Sequence, residues 1–133
     1  MHSQRDEILD TAPDADRLIW EGHVRGFISA FVQKNRRERW RHLLLSPSDK
    51  KRKASNKLFS DLDRTKCSDL TTPWNVNPTA MGVFDDFTNN PKMLTFELAL
   101  DAGQLQDAIF SMRKGELALF FFHHGEILLC ENP

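Results

Sequence analysis

Apolar positions along the chain fall into several distinct rhythms. Leu94, Phe96, Leu98 and Leu100 alternate with Thr95, Glu97 and Ala99, the period of two expected of a half-buried strand. Residues 116–122 are apolar on both faces and predict a central strand, which His123, His124 and Gly125 turn into Glu126–Cys130 as a C-terminal β-hairpin. Met81–Phe84 predicts a short strand, followed by a turn over 85–91, where paired Asp and paired Asn precede Pro91. Between Arg17 and Val32 two rhythms compete. Trp20, Val24, Phe27, Ile28 and Phe31 suit a helical face, whereas Val24, Ile28, Ala30 and Val32 alternate. Gly22 and Gly26 would each cost a helix about 1 kcal/mol relative to Ala, which tips the expectation toward a strand over 23–32.

Helix starts carry their own grammar. Asn35 with Glu38 forms a capping box ahead of Trp40, Leu43 and Leu44, predicting a helix over 36–45. Ser46, Pro47 and Asp49 repeat the pattern and predict a second helix over 47–60 that buries Ala54, Leu58 and Phe59, with Leu62 extending the contact. Asp101 and Gln104 precede Leu105, Ala108, Ile109 and Met112, predicting a third helix over 102–114 that ends at Gly115. Residues 61–78 read mostly as loop, anchored by Trp74. The expected fold is α+β: one domain spanning 1–133, with about five strands in a mixed or mainly antiparallel sheet and a basic helix pair. Residues 1–16, acidic and broken by Pro13, read as an arm or a short docked helix.

Charge changes this picture. The formal net charge is only −1, yet residues 34–66 hold 12 Lys/Arg against 4 Asp/Glu, a net of +8, leaving −9 for the rest. Such asymmetry bears on partners rather than on fold. A length of 133 residues with 40% apolar content suits one core. The two cysteines have no CxxC spacing and read as free thiols of a reducing compartment. The N-terminus lacks signal-peptide organisation and no apolar run is long enough to span a bilayer, so the expectation is a cytoplasmic protein with no membrane association.

Within the basic stretch, Lys50, Lys53 and Lys57 project to one side of the second helix and Ala54, Leu58 and Leu62 to the other, as on any solvated amphipathic helix. Arg36, Arg37, Lys50 and Lys51 are less ordinary, because they stand at helix beginnings, where the dipole disfavours cations. The expected site is therefore an anion- or partner-binding surface made of Arg36, Arg37, Arg41, Lys50, Lys51, Lys53 and Lys57. Its partner would be an acidic protein surface, including a second copy of the chain, or a phosphate-type anion. Nucleic acid is the alternative, with backbone contacts supplying affinity; Trp40, however, is in register with Leu43 and Leu44 and so reads as core rather than as a stacking platform.

Catalytic grammar is sparse. His123 and His124 lie near Glu126 and Cys130, but adjacent histidines on an extended chain point to opposite sides. Asp85, Asp86, Asn89 and Asn90 lack EF-hand spacing and read as a turn, and Cys67 beside Lys66 is at most a modestly activated thiol. No catalytic residue, metal site or cofactor is expected, and a hydrolase or nuclease is a distant alternative that would need His23 or His42 gathered with carboxylates in a pocket.

Overall fold

A computed structural model describes residues 13–45, 57–70, 77–87 and 91–132, without the side chains of 13–16, 57 and 59. Helix α1 (Pro13–Phe31) leads through a 3-10 turn (Lys34–Arg36) into α2 (Arg37–Leu45), and Lys57–Ser60 forms a short helical segment, α3. Strands β1 (Cys67–Asp69), β2 (Met81–Asp85) and β3 (Lys92–Thr95) follow, then helix α4 (Phe96–Ala102), then β4 (Ala108–Arg113), β5 (Leu117–Phe121) and β6 (Ile127–Glu131). The strands form one sheet in the order β1-β6-β5-β4-β2-β3, antiparallel throughout. The architecture is α+β with six strands rather than about five.

The strand expected over 23–32 is helix. Val24, Phe27, Ile28 and Phe31 are buried at the spacing of a single helical face. The glycines that argued against a helix have a packing reason. A Cβ on Gly26 would lie 2.8 Å from Lys114 Cγ and 2.9 Å from Gly115 N, so the β4–β5 turn reaches the helix only because that position is bare. Pro13 stands at the first described position of this helix, where its lack of a donor is tolerated.

Two further expectations are corrected. The alternation over 94–100 breaks at Thr95, whose hydroxyl caps α4 by accepting from Leu98 N at 3.2 Å. Beyond it Phe96 and Ala99 are buried while Leu98 is 56% exposed, a helical period of three that coincides over a few residues with a strand-like alternation. The helix expected over 102–114 is instead a turn followed by β4. This strand lies inside the sheet with both faces covered, so its continuous apolar run imitates one side of a helix. The helix expected over 36–45 stands as α2 with its preceding 3-10 turn, and the C-terminal hairpin stands as β5–β6. Of the helix expected over 47–60, only 57–60 falls within the described residues, and it is helical there; residues 1–12 of the expected arm lie outside them.

Each sheet face has its own core. Ile109, Ala118, Phe120, Leu128 and Cys130 pack beneath α1, α2 and α3, with Trp40 at the centre. Its ring stacks on Phe27 at 5.9 Å and meets Phe87 edge-on at 5.9 Å. On the other face Phe84, Ala108, Phe110, Leu119 and Phe121 pack with Phe96 and Ala99 of α4.

Candidate functional site

The described parts of the basic stretch, residues 34–45 and 57–66, form a corner at the C-terminal end of α1. A helix leaves its last carbonyls without intrahelical donors, and here Ala30, Phe31 and the following Val32 acquire them from elsewhere. Lys66 Nζ donates to Ala30 O at 3.2 Å, Asp63 N to Phe31 O at 2.7 Å, and Arg37 Nε to Val32 O at 3.0 Å. Gln33 N then donates to Asp61 O at 2.8 Å, while its side-chain amide reaches Ser60 O at 2.8 Å. Together with the Val32–Leu62 bridge, these bonds bind the returning segment 60–66 to the corner.

Asp61 is the hub. Its side chain is 4% exposed, forms an ion pair and hydrogen bond with Arg39 through Oδ2, accepts from Trp40 Nε1 at 3.0 Å, and lies 3.7 Å from Arg36 Nε. A carboxylate buried this deeply needs cations and donors to offset its desolvation, and the 3-10 turn and α2 supply them. The apparent anomaly of cations at a helix start is thereby resolved for Arg36 and Arg37: the start of α2 coincides with the end of α1 and with a buried acid, and both attract positive charge. Sequence reasoning missed Asp61. The available sign was an acid inside a strongly basic run, immediately before the buried Leu62.

Of the seven predicted site residues, the structure brings Arg36 and Arg37 into this corner and places Arg41 one turn along α2, where it pairs with Glu38 at 3.1 Å. Lys57 begins α3, while Lys50, Lys51 and Lys53 lie outside the described residues. An open groove of about 540 Å³ borders the corner, lined by Gln33, Lys34, Asn35, Leu62, Asp63 and Arg64. The Asp63 carboxyl is held below the usual carboxylate range by bonds from the Thr65 hydroxyl and amide, with Lys66 and Arg37 adding to the effect.

The other polar constellations are local. His23 Nδ1 lies 2.7 Å from the buried Ser111 Oγ beneath α1, and burial followed by the charge of Lys114 lowers its pKa. No carboxylate joins this pair among the described residues, and neither His23 nor His42 lines a described pocket. His123 Nδ1 approaches both oxygens of buried Asp107, at 3.0 and 3.1 Å, and His123 N donates to the same carboxylate at 3.0 Å. These bonds secure the hairpin turn. No cluster of three or more His, Cys, Asp or Glu suited to a metal occurs among the described residues. No helix among them is long and apolar enough to cross a membrane.

The chain matches no protein-family model, no curated protein and no solved structure. The functional reading therefore rests on this chain's own geometry.

Proposed function

We propose that this chain is a non-catalytic binding domain of the cytoplasm that engages an acidic partner, a protein surface or a phosphate-type anion, through its basic segment. The supporting observation is the groove in which Lys34 and Arg64, distant in sequence, line one surface beside the corner held by Asp61. Arg36 adds to it with a side chain that is 52% exposed. Arg36, 3.7 Å from Asp61, and Arg64, 3.9 Å from Asp69, are restrained by these acids and lose less rotamer freedom on binding than unrestrained donors, which favours affinity for a carboxylate or phosphate. Lys50, Lys51 and Lys53 extend the positive charge along the sequence and Arg41 along α2.

Nucleic acid fits less well, because Trp40 is wholly buried and cannot stack on a base, and the chain is close to neutral overall. The test is titration with polyglutamate, inorganic polyphosphate and duplex DNA at low and moderate salt, comparing the native chain with a Lys34→Glu/Arg64→Glu variant whose folding is checked by circular dichroism. Polyglutamate or polyphosphate affinity should fall about tenfold or more in the variant and weaken with salt. Unchanged affinity would remove the groove from the reading. Preference for DNA over both other polyanions would favour the nucleic-acid alternative.

A further inference from the structure

The chain has only two cysteines, and the fold places them directly opposite each other: Cys67 of edge strand β1 pairs with Cys130 of β6. Glu131 N donates to Lys66 O at 3.0 Å and Leu70 N to Ile127 O at 2.9 Å. In an antiparallel ladder that alternation puts Cys67 and Cys130 at a non-hydrogen-bonded pair, the closer kind, with Cα atoms about 4.5 Å apart. The separation lies inside the range of about 4.4–6.8 Å that disulfides span. Both side chains point to the helix-covered face, beneath the end of α1, where Cys67 Sγ is 4.0 Å from Phe31 O.

We propose that Cys67 and Cys130 form a reversible cross-strand disulfide, a redox latch fastening β1 and the corner segment ahead of it to the sheet. A pair of buried cysteines is often inert core, and as the dithiol this one is well protected: burial, followed by the hydrogen bond with Cys67, pushes the Cys130 thiol up. Its position supplies the access. β1 has three residues and, among the described residues, a strand partner on one side alone, so local opening exposes Cys67 far more readily than global unfolding does.

The oxidant is a low-molecular-weight disulfide of the glutathione class. The Cys67 thiolate attacks one sulfur of the oxidant, forming a mixed disulfide and releasing the first thiolate. As β1 closes, the Cys130 thiolate attacks Cys67 Sγ and displaces the second. Both protein thiols are oxidised, one disulfide is reduced to two small thiols, and the two protons released by the cysteines end on those thiols. This inference stands independently of the polyanion reading, since the latch is detected without a ligand.

The folded full-length chain is incubated at high dilution with oxidised glutathione, and its proteolytic peptides are mapped by mass spectrometry without reduction. The expected result is a peptide joining Cys67 to Cys130, with loss of two hydrogens from the intact chain, reversal by dithiothreitol, and amide exchange at Ser68 and Leu70, whose N–H groups face β6, slowed about tenfold. A Cys130→Ser variant should stop at the glutathione adduct on Cys67; if that variant does not fold, the native peptide map decides alone. Retained glutathione adducts on the native chain, cross-links between chains, or two thiols still free after the urea-unfolded chain has oxidised would each overturn the latch.

Discussion

Two buried aspartates sit along α1 in opposite electrostatic circumstances. Asp61, at the C-terminal end, meets Arg39, Arg36 and the Trp40 indole. Asp85, at the end of β2 and lining a cleft with Trp20 and Val24 of α1, accepts a hydrogen bond from Phe87 N at 2.9 Å and has Asp86 as its neighbour. Burial first, then the like charge of Asp86, raises the Asp85 pKa from 3.8 to about 6. Equally buried carboxylates thus act in opposite directions at neutral pH, one as an organising centre and one as a source of strain. Much of the difference lies in where the basic stretch was placed.

Removing the organising carboxylate should have the largest effect. Asp61→Ala leaves the Trp40 indole without its acceptor and the Arg39 guanidinium, whose Nε is buried with no partner among the described residues, without its counter-charge. A loss of about 3 kcal/mol in urea unfolding is expected, the scale for breaking a buried ion pair. Asp61→Asn, which preserves an acceptor for the indole, should lose less. If Asp61→Ala unfolds within about 0.5 kcal/mol of the native chain, the corner is not organised by that carboxylate.

Asp85→Asn should act with the opposite sign. Because the folded-state pKa is raised, folded Asp85 retains a proton between about pH 4 and 6 that the unfolded chain has released, so its contribution to stability falls as pH rises through that window. Above it the full penalty is present. Asparagine preserves the acceptor for Phe87 N and removes the charge, so the variant should be more stable by about 2 kcal/mol at pH 7 and near parity at pH 4. Comparing the two chains at each pH is necessary because His23 works oppositely: its lowered pKa makes stability rise as pH climbs toward 6.5. A pH-independent difference between the chains would refute the account of Asp85.

The corner and the sheet also differ in how readily the sequence disclosed them. The helix over 36–45 was legible from its apolar stripe, although Asn35 lies within the 3-10 turn rather than capping α2, and 116–130 because turn chemistry and continuous apolar runs agree. Residues 23–32, 94–100 and 102–114 were misread for one physical reason: the deciding contact lies far away in sequence. Gly26 belongs in a helix only because Lys114 and Gly115 come against it. Ala108–Arg113 is a strand only because β2 and β5 flank it. The basic residues stood out in the sequence for their place at helix starts, but what attracts Arg36 and Arg37, the end of another helix and Asp61, is visible only in three dimensions.

The glycine contact offers a smaller test in two variants. Gly26→Ala gains about 1 kcal/mol of helix propensity but drives a Cβ against the Gly115 backbone, which cannot yield as a side-chain tip can, so a net loss of about 1 kcal/mol is expected. At Gly22 the atoms nearest a Cβ would be Lys114 Cδ at 3.3 Å, Nζ at 3.4 Å and Cε at 4.0 Å, all part of one flexible side chain. Gly22→Ala should therefore be neutral or stabilising, by no more than about 1 kcal/mol. Equal thermal midpoints for the two variants would show that the turn does not press on α1 at Gly26.

The smallest effect on stability is expected from Arg41, and it separates folding cations from binding cations. Arg39 and Arg41 belong to the same helix, yet Arg39 reaches buried Asp61 whereas Arg41 pairs with Glu38, whose side chain is 91% exposed. An exposed pair of this kind contributes about 0.3 kcal/mol, so Arg41→Ala should leave the urea midpoint nearly unchanged while Arg39→Ala shifts it clearly. In the polyanion titration Arg41→Ala should still lower affinity, by about two- to fourfold for one lost surface charge, with a shallower salt dependence. Because its fold is intact, that loss would belong to the surface itself. If Arg41→Ala instead matches Arg39→Ala in stability, the division of the basic stretch into an inner set that completes the fold and an outer set that meets the partner fails.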